Sequence, residues 1–197
     1  MTTFFNYDEM TWDHVAELPR DTPLVLPLGS GYNFDLLADQ LSNPPQIGLL
    51  PAFPFGWRGS GLELPEPVFF QYISNLLDSL RDDGFARVHC LAPAGIDPQS
   101  VFFQHNSPTY LRLPHATHNS MRIPLPPDSE HGKVILMPIG HTEQHGFHLP
   151  LSVDTIIIEA IAQGTVAKLP ARSYTLPVMP YGVSTHRSSF ADRKSVV

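Results

Sequence analysis

The stretch Gly140 to Thr155, GHTEQHGFHLPLSVDT, holds the residues of this chain best suited to chemistry. It follows the apolar run VILMPIG, Val134 to Gly140, and ligands of α/β sheets bind where the chain leaves the carboxyl end of such a strand. Glu143 and His145 are two apart, so on extended backbone their side chains project from one face, as two ligands of one metal centre must. Asp154 stands where a helix should begin, and as its N-cap it would be kept ionised and fixed in direction by backbone N–H groups and the dipole. One imidazole and two carboxylates make a mixed N/O donor set suited to zinc or manganese. Plainer roles fit the same residues: Glu143 as a solvated loop residue, His145 as a hydrogen-bonded turn residue, Asp154 as a cap and nothing more. His141 and His148 flank the trio and are expected as donors to it or as surface residues ahead of direct ligation. His105, His115, His118 and His131 have no regular ligand spacing. Cys90, the single cysteine, lies in an apolar segment and reads as a buried thiol.

The elements that must carry this segment are short, because 21 prolines and 13 glycines punctuate the chain. Thr11 to Leu18 has the pattern of a helix, with Trp12, Val15 and Leu18 on one face and Pro19 behind it. Pro23 to Leu28 reads PLVLPL, a strand buried on both faces as in a parallel sheet, and Ile47 to Phe55 is strand only in part. Between Glu66 and Asp83 the apolar residues Phe69, Ile73, Leu76, Leu77 and Leu80 recur at helical spacing, with prolines at the start and Gly84 at the end. Ala86 to Leu91 is a further buried strand, and Gln104 to Lys133 reads as a proline-rich linker or covering loop. Order resumes with the strand from Val134 and a helix from Asp154 to Leu169. The alternation predicts an α/β fold, helices layered on a mostly parallel sheet.

Two strings recur in the same order. LVLPLG at Leu24 to Gly29 resembles ILMPIG at Ile135 to Gly140, and LPAFPFG at Leu50 to Gly56 resembles LPVMPYG at Leu176 to Gly182. A tandem duplication is the expectation: a first repeat over 1–103, a linker over 104–133 and the N-terminal part of a second repeat over 134–197. With 12 basic against 19 acidic residues, the net charge of −7 argues against nucleic acid as a partner. No apolar run approaches the about 20 residues of a spanning helix, and no secretory signal is visible, so neither membrane nor export is expected and cytoplasm is the default.

The segment GHTEQHGFHLPLSVDT closely resembles the signature of the creatininase family, G-[ST]-x-E-Q-H-G-x-H-L-P-L followed by an Asp-Thr pair that opens a helix. The upstream MTWDHVAELPRDTPLVLPLGS and the strings LPAFPFG and LPVMPYG are similar to other parts of that family. The resemblance implies a creatininase-like fold and a metal-dependent amidohydrolase using zinc and/or manganese. In it, a hydroxide held between two ions attacks an amide or cyclic amide carbonyl. It places the metal ligands at Glu143, His145 and Asp154, the last bridging the ions. A small-molecule amide substrate and a homo-oligomeric state are the accompanying expectations, with a peptide or a ring-opened nucleobase as alternative substrates.

The departures from the family pattern are equally specific. In the first repeat the E-Q-H segment is replaced by Gly31, Tyr32, Asn33, Phe34 and Asp35, and the glycine- and histidine-rich motif by Ala92 to Ile96. The family's Tyr-Gly-x-Ser-x-Glu-His reads Tyr181, Gly182, Val183, Ser184, Thr185, His186, Arg187, which gives neither His186 nor Arg187 a role. The reading at this point is of a fold incomplete at the C-terminus and a fragment that is itself inactive, with three of about five ligands of a two-metal site present. Catalytic and substrate-binding residues stay unassigned. A non-catalytic packing or interaction protein is the competing class, and exposed apolar surface on the second repeat is expected. The ending DRKSVV, Asp192 to Val197, reads as foreign sequence, and DNA running on in frame past Phe190 is the expected finding on resequencing.

Overall fold

The fold is seen in a computed structural model, which describes residues 1–93, 96, 109–113 and 130–182. Its elements in chain order are β1 (Thr3–Asn6), α1 (Trp12–Glu17), β2 (Leu24–Pro27), α2 (Asp35–Gln40), β3 (Gln46–Leu49), α3 (Glu66–Asp82), β4 (Val88–Leu91), β5 (Thr109–Leu111), β6 (Val134–Leu136), α4 (Val153–Lys168) and β7 (Ser173–Thr175). Two sheets result, one ordered β1-β3-β2-β4-β5 and one of β6 and β7, and every strand pair in both is parallel. The chain is therefore α/β, as its alternating pattern predicts.

The continuous apolar run at Leu24 becomes the central strand: all four residues of β2 are buried, with β3 on one edge and β4 on the other. The amphipathic pattern gives α3, which buries Phe69, Phe70, Ile73, Leu76, Leu77 and Leu80. Its end is set by Gly84, at φ +92°, with Gly84 N–H donating to Arg81 O and Phe85 N–H to Leu80 O, the two bonds of a Schellman cap. Cys90 is buried in β4, where loss of solvation raises its thiol pKa and removes nucleophilic character. Among the described residues no helix is long and apolar enough to cross a membrane.

Besides the unexpected β1 and α2, three elements differ from the sequence reading. Thr109–Leu111, inside the stretch read as linker, pairs with β4 as an edge strand, because three residues suffice for an edge and give no periodicity to read. The strand expected from Val134 to Gly140 keeps only Val134–Leu136, because its sole partner β7 ends at Thr175 opposite Leu136 among the described residues. The helix expected from Asp154 begins at Val153, with Ser152 at the N-cap and no side-chain capping bond. Asp154 is thus a first-turn residue and not the cap. The cause lies in the loop, where Leu151 N–H donates to Met10 O and Ser152 N–H to Asp8 O, which fixes the helix start from outside. His105, His115, His118, residues 183–187 and residues 192–197 lie outside the described residues, and His131 is exposed.

The hydrogen bonds at the carboxyl ends of the two sheets correspond residue for residue. Around β2 and β3, Leu50 N–H donates to Val25 O, Phe53 N–H to Pro27 O and Gly29 N–H to Phe53 O. Around β6 and β7, Leu176 N–H donates to Leu136 O, Met179 N–H to Pro138 O and Gly140 N–H to Met179 O. The second sheet is seated on the first by Tyr181, whose ring stacks on Phe53 at 5.8 Å and whose hydroxyl donates to Pro51 O. Its other surfaces are apolar and open: Val134, Ile135, Met137 and Ile139 are exposed, as are Ile156, Ile157 and Ile161 of α4, which buries only Ala162.

The main core also holds an imidazole. His89 in β4 is 8% exposed, and among the described residues neither ring nitrogen has a hydrogen-bond partner. Burial first, then the charges of Arg87 and Arg81, push its pKa down to about 4 from 6.5. Between these values the unfolded chain binds the extra proton, so stability present at neutral pH is lost as pH falls from about 6.5 to about 4. The loss is on the order of 3 kcal/mol. Urea unfolding of wild type and His89→Leu across this range should show a markedly shallower acid slope in the variant.

Candidate metal centre

Gly140 ends the strand segment of the second sheet and begins the ligand loop. A Cβ there would lie 2.5 Å from both Cα and Oγ1 of Thr155, so only glycine lets the strand end approach the first turn of α4 this closely. The loop is then tied on two sides. Thr142 Oγ1 donates to Pro180 O at 2.9 Å, and Glu143 N–H donates to Leu151 O at 3.2 Å. These bonds bring the loop residues Glu143 and His145 against the helix residue Asp154.

One ligand atom from each of these three side chains lies within 4.8 Å of the other two. That is close to the spread of donors around one ion with bonds of roughly 2.0–2.2 Å. Glu143 is buried, and His145 and Asp154 are partly exposed. His145 Nδ1 is 3.0 Å from Glu143 O. A carbonyl oxygen can only accept, so Nδ1 carries a proton, and in the neutral ring the lone pair is on Nε2. That Nε2 is 3.1 Å from Asp154 Oδ1, an ion pair when the ring is doubly protonated and two facing acceptors when it is neutral. In the neutral ring a divalent cation would supply the positive charge that joins them. The hydrogen bond from the non-ligating ring nitrogen to a carbonyl is also the usual way a metal-bound histidine is held. The residues therefore fit a metal on geometry and donor chemistry together. Asp154 also sits in the first turn of α4, where the helix dipole favours a carboxylate.

The flanking histidines separate. His148 is exposed and lies outside the cluster, as a surface residue. His141 is 5% exposed, and its Nε2 is 3.6 Å from Glu143 Oε2. Two contributors escape sequence reasoning: the backbone carbonyls of Asp8 and Met10, which reach the loop from the far end of the chain, and the close approach at Gly140. The glycine that follows each apolar run was a visible sign of the second, whereas nothing in the sequence marks the first. A separate cavity lined by Pro138, Glu159, Gln163, Tyr174 and Leu176 contains none of the three candidate ligands.

In the first sheet the corresponding positions are occupied differently. Counting on from Gly29 as from Gly140, Tyr32 answers to Glu143 and Phe34 to His145. The Tyr32 hydroxyl lies 2.7 Å from Leu28 O and 3.0 Å from Leu91 O, and its ring lies 6.4 Å from that of Phe34. Aromatic packing stands where the second sheet has the candidate ligands.

Residues 126–193 match the sequence model of the family described as Creatininase, creatinine amidohydrolase. The "Mycofactocin precursor peptide peptidase" of Mycobacterium tuberculosis is 39% identical over 70 residues, covering 32% of this chain and 28% of that protein. The protein of the same name from Mycobacterium ulcerans is 38% identical over 69 residues, again covering 32% and 28%. The match therefore spans little more than a quarter of the length of these relatives. No solved structure matches.

The close approach at Gly140 gives a direct test. Gly140→Ala must push α4 from the loop and should lower stability by about 1–3 kcal/mol in thermal unfolding. Gly164→Ala in α4, where a Cβ meets nothing within 4 Å, should instead stabilise by about 0.5–1 kcal/mol.

Proposed function

We propose that residues 134–197 form the metal-binding part of a metal-dependent amidohydrolase, with Glu143, His145 and Asp154 holding zinc or manganese and a C–N bond as the target. The observation that carries this reading is the convergence of one ligand atom each from Glu143, His145 and Asp154 to within 4.8 Å of one another. A bound divalent cation would lower the pKa of a water molecule to about 7 and polarise an amide carbonyl, so no serine or cysteine nucleophile is required. The protein's own part is orientation. Glu143 O keeps the His145 proton on Nδ1 and so leaves Nε2 available to the cation. The first turn of α4 aims Asp154 at the same point, and the buried Leu151 backs the loop where Glu143 is held.

A peptide amide is the substrate class we favour. The rim beside the ligands, Gly146 to Leu149, is exposed, with Phe147 at 72%, which leaves the site open to an extended chain rather than closed around a small ring. The peptidase named among the relatives agrees with that choice. Small cyclic amides and ring-opened nucleobases remain the alternatives within the same chemistry.

A non-catalytic role is proposed for residues 1–103. The matching hydrogen bonds at Val25, Pro27 and Gly29 and at Leu136, Pro138 and Gly140 support reading the chain as two repeats joined through 104–133. Tyr32 and Phe34 support a packing role for the first of them. The exposed isoleucines of α4 favour homo-oligomer formation.

Metal analysis of the purified full chain decides between the enzyme and interaction classes. Stoichiometric zinc or manganese in wild type, lost in His145→Ala, is the expected result. Metal-free wild type, with stability unchanged by chelator, would place the chain in the interaction class.

A further inference from the structure

We propose that His141 is a positioning residue that holds Glu143 in ligating orientation by pointing an Nε2–H at its carboxylate. The inference rests on the metal-site reading above and extends it to a residue that replaces the Ser or Thr of the resembling signature. In the first sheet the corresponding residue is Ser30, beside a loop with no ligand to hold.

The argument is one of proton placement. Gly182 N–H donates to His141 Nδ1 at 3.2 Å. A backbone N–H cannot accept, so Nδ1 carries the lone pair and the ring proton lies on Nε2. That Nε2 faces Glu143 Oε2 at 3.6 Å, with the two side chains 7% and 10% exposed. The distance exceeds a hydrogen bond, yet a buried donor directed at a buried carboxylate at this range still favours its present orientation.

Direct ligation by His141 is disfavoured by the same bond. To offer Nε2 to a cation the ring would have to move its proton to Nδ1, where it would meet the Gly182 N–H head on. His141 and His145 therefore carry opposite tautomers in one loop. His145 is protonated on Nδ1 with Nε2 open, and His141 is protonated on Nε2 with Nδ1 engaged.

The support for His141 is itself built in. A Cβ on Gly182 would lie 2.7 Å from Gly140 O, so glycine is what lets this backbone come close enough to present its N–H. Thr142 Oγ1 on Pro180 O ties the same two segments together. A serine at position 141 is too short to span from Gly182 to Glu143.

The test uses the full chain with zinc and, separately, manganese as probes. Dissociation constants are measured for wild type, His141→Ala, His141→Ser and His141→Gln, with thermal unfolding of each metal-free variant as a check on folding. Alanine and serine should weaken metal binding by about 10–100-fold. Glutamine has an acceptor for Gly182 and a donor for Glu143, and it should recover much of the loss. Ring nitrogen-15 shifts of the metal-free protein should show an Nε2–H tautomer for His141 and Nδ1–H for His145. Wild-type affinity in His141→Ala, no recovery by glutamine in a folded variant, or an Nδ1–H tautomer at His141 would overturn the proposal. Failure of wild type to bind either metal would overturn the metal reading instead, and the tautomer pattern would then still decide whether His141 faces Glu143 as a donor.

Discussion

A ring nitrogen and a carboxylate oxygen held 3.1 Å apart define this molecule's candidate site. With a neutral ring, His145 Nε2 and Asp154 Oδ1 repel across that gap unless something positive joins them. The Nδ1 proton is engaged by Glu143 O, so relief comes from a second ring proton on Nε2 or from a cation. What holds the pair together is the seam between strand end and helix start, where Gly140 lies against Thr155 and the loop is bonded to Leu151 and Pro180. The geometry of the candidate site belongs to that seam as much as to the three side chains.

The seam is in turn braced by the first sheet. Asp8 and Met10 receive the N–H groups that open α4, and Tyr181 lies between Phe53 and the carbonyl of Pro51. The larger, better-buried half thus acts as a platform for the smaller one. This division explains how a two-stranded sheet with an apolar, mostly exposed helix can present an ordered loop at all: a pair of strands has little independent stability. The parts needing precision are those that touch the platform, and the parts facing away from it carry the exposed Val134, Ile135 and Ile156.

Much of this was legible in the residues, and the exceptions share a cause. The run PLVLPL suits a strand buried on both faces, and the spacing of Phe69, Ile73, Leu76 and Leu80 suits a helix that buries one face; both signals depend on local pattern alone. The trio Glu143, His145 and Asp154 was likewise visible from types and spacing, and the structure gathers it. The short β1, α2 and β5 were not visible, because three to six residues do not establish a period and their existence depends on pairing with distant chain. Asp154 as N-cap was the natural reading of Ser-Val-Asp-Thr, and it failed because Met10 and Asp8, remote in sequence, set where the helix starts. The proton positions on His141 and His145 were beyond any sequence argument, since each is dictated by one backbone group.

Tyr32 gives the first half a history that runs one way. Its hydroxyl sits between the carbonyls of Leu28 and Leu91, and a carboxylate in its place would bring a buried negative charge against two oxygens that can only accept. Under the proposed duplication, the step from ligand to phenol is easy once one copy suffices for chemistry. The step back would need the neighbouring aromatic packing to be undone at the same time. Under that duplication the substitution would work as an evolutionary ratchet: once the phenol was seated, selection could refine this half as scaffold but would have no single-mutation route to a ligand there.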